Sequence, residues 1–426
     1  MLPASPRPSY TVRRKPLRHD ADAFMKRQFI VITSGRVVAA LLQAVLLVFV
    51  ARALGPSHFG LFSVVISIGI LAQVLTDAGL GTLVIRERSS RPESPLLSAA
   101  LRFSNWTALV LAASGLAVLT CCALLIRPEF WFLTPLALST ALERNADLWI
   151  GVALADGDTW SNALNLVVRR TVAILAFSAM EWAGVHALLA ISIAMTLAGG
   201  ISACTAHAYV DSRLVRAHSR VALKPVLTAS WPYWLNSLAG QLKNVDTLII
   251  TSFAGNTAAG LYAAANRLSG PLLLVPTSLA AVVLPATARQ AAARPTASLR
   301  QIKLKKLVIT LTLVMTTCYA SLAAVAPWLF PMLMGAEYAK AVPVFQIILI
   351  SMCFASASVL TSAVRQGQGR PGVAARASVV SGIFSVGALM AGTSVFGIVG
   401  AAVGLLGSQV LQLLLLITGT KFFKKA

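Results

Sequence analysis

The chain has 426 residues, of which 57% are hydrophobic and only 12% charged, with a formal net charge of +22. A soluble chain carries about 25% charged residues, so this composition excludes an ordinary soluble enzyme, a disordered tail protein and a nucleic-acid binder read from charge alone. The apolar residues come in long runs and not in alternation, which excludes a transmembrane β-barrel and leaves an all-α polytopic membrane protein.

A helix needs about 20 apolar residues to cross a bilayer. Twelve candidate spans follow in order, at 28–52, 59–80, 96–122, 131–153, 162–180, 184–208, 226–253, 258–286, 307–331, 342–364, 373–393 and 396–418. Residues 1–24, rich in Pro and Arg, have no apolar stretch of their own and read as a disordered cytoplasmic tail. Met25-Lys26-Arg27 then resembles a chain start, which would make the tail a start-site artefact or a dispensable arm. The expected organisation is an amino-terminal lobe at 25–210, a cytoplasmic linker at 211–224, a carboxy-terminal lobe at 225–420 and a short cytoplasmic tail at 421–426. With the amino terminus placed in the cytoplasm, 26 of the 36 cations fall in cytoplasmic segments, and only Arg52, Arg127 and Lys340 fall outside. The positive-inside rule then puts both termini in the cytoplasm with an even number of spans. The five cysteines (Cys121, Cys122, Cys204, Cys318, Cys353) lie in apolar spans and read as small buried hydrophobes.

The chain echoes itself at an offset of 200. Gly55, four residues, then Gly60-Leu61-Phe62-Ser63 aligns with Gly255, four residues, then Gly260-Leu261-Tyr262-Ala263. Each copy occupies the turn between an outgoing and a returning helix. A weaker echo pairs Ala155-Asp156-Gly157 with Arg365-Gln366-Gly367. Six helices per repeat is an even number, so the halves form a parallel repeat about an axis normal to the membrane, an arrangement that places a transporter's site between the halves.

Seven cations fall within the spans: Arg36, Arg102, Arg144, Arg169, Arg170, Lys243 and Arg267. Four acids accompany them: Asp77, Glu143, Asp147 and Asp246. A centred Arg or Lys costs about 2.5–3.5 kcal/mol on the insertion scale, so most must pair, snorkel or face a cavity. Arg102 and Asp77 lie near span ends and can snorkel. Lys243 and Asp246, three apart on one helix, can neutralise each other. Glu143 and Asp147 share a helix face with Arg144 turned about 100° away; they can bind a coupling ion or hold Arg169 or Arg170 from the next helix. Arg36 and Arg267 have no local partner and are the leading candidates for a cavity-lining cation, followed by Arg144, Arg169, Arg170 and Lys243. The surplus of buried cations suits an anionic substrate such as a diphosphate.

Several spans are punctuated. Pro271, Pro276 and Pro285 interrupt the eighth, and Gly382, Gly387, Gly400, Gly404 and Gly407 dot the last two. These positions fit hinges, or in the case of Gly400 and Gly404 a close helix contact. No phosphate-binding loop and no His-Glu-x-x-His pair is present. Asp156-Gly157-Asp158 imitates the paired acids of some glycosyltransferases but has no nucleotide domain around it. A non-enzyme without metal or cofactor is therefore expected.

Gly35-Arg36, Ala51-Arg52-Ala53-Leu54-Gly55-Pro56 and Phe59-Gly60-Leu61-Phe62 resemble the opening of the polysaccharide flippases (O-antigen and exopolysaccharide, Wzx-type) of the multidrug/oligosaccharidyl-lipid/polysaccharide exporter superfamily. Val245-Asp246-Thr247-Leu248-Ile249, Gly260-Leu261-Tyr262-Ala263-Ala264-Ala265 and Pro285 resemble the opening of its second half. Gly335-Ala336-Glu337-Tyr338-Ala339-Lys340-Ala341 and Gly367-Gln368-Gly369-Arg370 match later signatures. The resemblance covers about residues 25–420. It implies two six-helix lobes forming a V-shaped central cavity. It also implies ion-coupled passage of an undecaprenyl-diphosphate-linked oligosaccharide to the periplasmic leaflet of the bacterial inner membrane, for surface polysaccharide such as lipopolysaccharide or exopolysaccharide. A polysaccharide polymerase and a chain-length regulator are the candidate protein partners. The alternatives are an ion-coupled multidrug or small-molecule exporter of the same superfamily and a membrane-embedded glycan polymerase or ligase.

Overall fold

The computed structural model describes residues 18–90, 94–213, 224–231, 234, 245–292 and 298–422, and these contain no strand. The helices are α1 (Arg18–Asp77), α2 (Leu80–Ser90), α3 (Pro95–Leu125), α4 (Pro135–Ala155), α5 (Thr159–Trp182), α6 (Ala187–Asp211), α7 (224–231), α8 (Asp246–Ser269), α9 (Leu274–Ala292), α10 (Ser298–Met334), α11 (Val342–Gly367) and α12 (Pro371–Phe422). Eight segments are long and apolar enough to cross a membrane. Helix α4 is not among them, because it carries Glu143, Arg144 and Asp147. It packs against α2, α3, α5 and α6 and is largely buried. Protein surrounds it, so its charges need not meet lipid.

Three of the eight segments are 39, 45 and 48 residues long, well beyond a single crossing. Each breaks at a glycine. Gly55 has φ 65° and ψ 171°, Gly255 has φ 81° and ψ 176°, and Gly397 has φ 61° and ψ −141°. Side-chain-bearing residues pay a steric penalty in these conformations, so glycine marks where the chain reverses. The two arms of α12 then press together: Gly392 faces Gly400, and Gly404 faces Ala388. The Gly400/Gly404 pair is thus a close helix contact, as its spacing suggests.

The repeat is visible in three dimensions. A Cβ at Gly60 would run into the Asn256 carbonyl, and a Cβ at Gly260 would run into the Pro56 carbonyl. The partners are related by the same offset of 200, so the two copies meet in a reciprocal contact where α1 crosses α8. The flanking positions on α8 (Ala259, Ala263, Ala264, Ala265) are small and buried. The weaker echo does not keep its register. Gly157 has a positive φ, but its counterpart in conformation is Gly369; Gly367 is instead packed against Thr287 and the Leu284 carbonyl at the end of α9.

One hydrophobic cluster spans both halves, from Leu46, Phe59 and Phe177 to Tyr262, Phe330 and Tyr338. A second gathers Leu80, Leu101, Trp149, Val152 and Val210 in the amino-terminal half, and Val226 of α7 joins it. Helix α7, at the start of the expected carboxy-terminal lobe, thus packs on the amino-terminal core through Val226. The amino-terminal tail is also shorter than expected, since residues 18–24 belong to α1; residues 1–17, 423–426 and most of the linker (214–223) lie outside the described residues. Cys121, Cys204 and Cys318 are exposed on the bundle surface and not buried as expected, because they sit on the outward stripes of their helices.

The span expected at 258–286 is interrupted. Helix α8 ends at Ser269, a tight turn runs through Gly270–Leu273, and α9 resumes at Leu274. Pro276 lacks the N–H that would bond the Leu272 carbonyl. Tyr319 of α10 supplies a replacement, its hydroxyl donating to that carbonyl at 3.0 Å. This repair keeps a broken helix tolerable at membrane depth.

Replacing Gly60 or Gly260 with Ala should destabilise the protein by about 1–3 kcal/mol, the usual overpacking cost, because each new methyl meets a backbone carbonyl. Gly382→Ala, with open space around it, should leave the thermal unfolding midpoint of the purified protein unchanged or raised. Equal melting of all three variants would contradict the reciprocal contact.

Candidate functional site

Where α1 meets α4, α5, α6 and α8, a cavity of about 230 Å³ opens. Its polar lining is Gln43 and Gln73 of α1, Ser139, Thr140 and Glu143 of α4, Arg170 of α5 and Arg267 of α8, set among apolar side chains. The amino-terminal half supplies every wall except Arg267, which the carboxy-terminal half places against it. The cavity therefore lies on the seam between the repeats.

Arg267 reaches across that seam. One of its terminal nitrogens donates to the Ser63 carbonyl at 3.1 Å and to the Ser67 hydroxyl at 3.4 Å, both on the returning arm of α1. Its hydrogen-bond partners are neutral. The reversal at Gly255 brings Asp246, at the start of α8, back beside Asn266 and within electrostatic reach of Arg267. The Asp246 carboxylate accepts from the Thr247 backbone N–H at 2.6 Å and hydroxyl at 3.2 Å, and from the Asn266 amide at 2.7 Å. It makes no ion pair with a described residue. The fully buried Tyr262 hydroxyl lies against Asp246, the polar group it interacts with.

The remaining candidates divide by geometry. Arg170 and Glu143 both line the cavity and bond each other at 3.3 Å. Arg169 is 3% exposed and pairs with Asp147 at 2.9 Å. Of the two readings for Glu143 and Asp147, holding the α5 arginines is the one seen. Arg144 and Arg169 do not line the cavity. Arg144 is turned about 100° from Glu143 into the contact with α1, where it lies 3.9 Å from Asp77 and donates to the Thr76 carbonyl at 2.8 Å. Asp77 therefore answers Arg144 and does not merely snorkel. Arg36 is exposed. It lies seven residues before Gln43, two turns along the same stripe of α1, while its neighbour Gly35 is pressed onto Ala163 of α5. Lys243 lies outside the described residues.

At the far end from the Gly55 turn, Arg88 grips Asp156 through two bonds of 2.7 and 2.9 Å. Asp158 caps α5 through the Ser161 N–H and hydroxyl and accepts from Tyr209, over whose ring Arg213 lies. Partial burial would raise the Asp158 carboxyl, but Tyr209, Ser161 and Arg213 outweigh it and hold it below its ordinary value. Both acids of Asp156-Gly157-Asp158 are thus engaged by protein groups. At the Gly55 end, Arg52 donates to the Leu333 carbonyl at 2.7 Å and to that of Met332, and Tyr338 donates to the Ala51 carbonyl at 3.0 Å. These bonds latch the halves together on that side.

The uncharged cavity groups, Gln43, Gln73, Ser139 and Thr140, were not singled out in the sequence. The available signal was a pair of carboxamides within otherwise apolar runs of α1.

Such a seam cavity between two helical repeats is the architecture of a membrane transporter. Residues 25–291 match the family described as "Polysaccharide biosynthesis protein", and the chain belongs to that family. No curated protein matches the chain. Among solved structures, an inward-facing multidrug resistance MATE family transporter of the MOP superfamily is similar at 15% identity, with a TM-score of 0.68, covering 93% of this chain and 99% of that one. A mutant of the Vibrio cholerae MATE transporter VcmN is similar at 16% identity, with a TM-score of 0.59, covering 96% and 99%. An outward-facing MATE family transporter of the MOP superfamily has 14% identity and a TM-score of 0.58, covering 93% and 95%. The fold is that of these transporters, an all-α membrane bundle built from two repeats.

If Asp147 serves Arg169, Asp147→Asn should destabilise the protein because it strands the buried Arg169 charge, by less than the ~3–5 kcal/mol of a fully buried pair since the Asp147 side chain is itself 55% exposed. The double variant Asp147→Asn, Arg169→Met should recover most of that loss. Thermal unfolding of the purified variants measures both, and a double variant no more stable than the single would refute the pairing.

Proposed function

We propose that the protein flips an undecaprenyl-diphosphate-linked oligosaccharide from the cytoplasmic to the periplasmic leaflet of the bacterial inner membrane, by alternating access. The observation that carries this reading is Arg267, a cation with neutral partners lodged in a cavity on the seam between the lobes. Glu143 offsets Arg170 there, so the lining retains one net positive charge, which suits a diphosphate. Arg36, on the same stripe of α1, extends the cationic path. Arg170 is a third contact, with Lys243 the remaining candidate beyond the described residues. Arg144 and Arg169 fit better as structural cations, each facing a carboxylate. The latch at Arg52 and Tyr338 fits a state closed on the Gly55 side. The cation-rich segments of the opposite side then face the cytoplasm, with both termini. A polysaccharide polymerase and a chain-length regulator are the expected downstream partners. A drug-exporter reading has less support, because the one acid lining the cavity is already engaged by an arginine.

In a strain lacking its own flippase, Arg267→Ala and Arg36→Ala at equal expression should each lower surface polysaccharide. Losing one charge-assisted bond to a diphosphate, about 1.5–3 kcal/mol, corresponds to a tenfold or greater loss of affinity. Full polysaccharide in both variants would sink the assignment.

Ion coupling falls to Asp246, which has neutral hydrogen-bond partners beside Arg267, whereas Glu143 and Asp147 are engaged by arginines. Asp246→Asn should abolish the dependence of vesicle transport on a proton or sodium gradient while leaving lipid binding intact. Unaltered gradient dependence would exclude that role.

A further inference from the structure

The cavity has a second character beyond its cations. The Gln43 side-chain oxygen is buried in it with no hydrogen-bond partner. Gln73 is held in place by donating to the Thr140 carbonyl at 2.8 Å. The Glu143–Arg170 bond uses one carboxylate oxygen, which leaves the second oxygen and further guanidinium N–H groups uncommitted to that bond. Acceptors and donors therefore alternate around a space walled elsewhere by apolar side chains such as Phe62, Ile66 and Met195.

A bare diphosphate offers only acceptors. It could satisfy Arg267 and Arg170, but not the Gln43 oxygen, and Glu143 would repel it. An organic cation would add positive charge where one is already in surplus. A pyranose answers both requirements, because each hydroxyl donates and accepts and the C–H faces of the ring can rest on the apolar walls. At about 230 Å³ the cavity falls below the ~300–1,000 Å³ usual for drug-sized ligands, so it has room for a single ring and not for an oligosaccharide.

We propose that Gln43, Gln73, Thr140 and the Glu143–Arg170 pair form a subsite for one sugar ring, the ring next to the diphosphate, with Arg267 at its phosphate edge. This rests on the lipid-linked reading above and refines it: the protein distinguishes a glycosylated carrier from the empty one. Returning the empty carrier would waste the cycle, and a pocket whose uncommitted acceptor is answered by a sugar hydroxyl favours the glycosylated carrier over the empty one.

The test measures binding to the full-length protein in nanodiscs by native mass spectrometry. The probes are undecaprenyl phosphate, undecaprenyl diphosphate, and undecaprenyl diphosphate bearing glucose or N-acetylglucosamine. The wild type should bind at least one glycosylated probe about tenfold more tightly than undecaprenyl diphosphate, the scale of one or two buried hydrogen bonds. Gln43→Leu should erase that preference and leave the affinity for undecaprenyl diphosphate unchanged. Gln73→Leu gives a second, independent reading should the first variant fold poorly. The proposal is overturned if neither sugar improves binding, or if folded Gln43→Leu and Gln73→Leu proteins keep the preference. If undecaprenyl diphosphate binds no better than undecaprenyl phosphate, the diphosphate reading fails as well, which separates the two failures.

Discussion

The whole arrangement depends on how closely α1 and α8 approach each other. Gly60 lies on the Asn256 carbonyl and Gly260 on the Pro56 carbonyl, so a single methyl on either would force the helices apart. Lipid provides no hydrophobic drive between apolar helices, and association there relies on close packing of small residues. The two glycines, with the alanines around Gly260, supply it. The contact is made by equivalent residues of two repeats, so it lies on the pseudo-symmetry axis. The cavity beside it is walled by the amino-terminal half and closed by Arg267 of the other half.

The same crossing explains the different treatment of the intramembrane cations. Arg144 and Arg169 lie deep in helix contacts of the amino-terminal half and face Asp77 and Asp147. A buried charge without such a partner costs several kcal/mol, so these pairs are conditions for folding the lobe. Arg267 is anchored by a carbonyl and a hydroxyl. Those partners satisfy part of its donor capacity and cancel none of its charge. Direct ion pairing therefore separates Arg144 and Arg169 from Arg267, whose hydrogen bonds go to neutral groups and which feels Asp246 only at longer range.

The fold was largely legible in the sequence because its constraints are local. Run length revealed the spans, and glycine at 55 and 255 revealed the reversals, since the backbone there demands a positive φ. The prolines at 271 and 276 mark the span at 258–286 as interrupted, but the group that satisfies the Leu272 carbonyl is Tyr319, 47 residues further on, which no local pattern names. The site was legible only in part. Helical spacing placed Glu143 with Asp147 and turned Arg144 away, but it could not choose partners. Asp77 and Arg144, Asp147 and Arg169, and Arg88 and Asp156 are separated in sequence and meet only through tertiary packing. Gln43 and Gln73 carry no charge, so a search for costly intramembrane ions passed over them.

The balance between the two kinds of polar group in the cavity bears on transport itself. A site made only of free arginines would hold a diphosphate too tightly to release it, since conduction needs binding strong enough to enter and weak enough to leave. Here Glu143 offsets Arg170, and Arg267 already spends part of its donor capacity on α1. When the halves rock apart, the bonds from Arg267 to Ser63 and Ser67 must break, because they cross the moving seam. A bound anion can replace them in the transition, and those same bonds can reform as it leaves. If Arg267 contacts the cargo as proposed, the same residue is part of the contact between the halves, which would link occupancy of the cavity to movement of the lobes without any separate sensor.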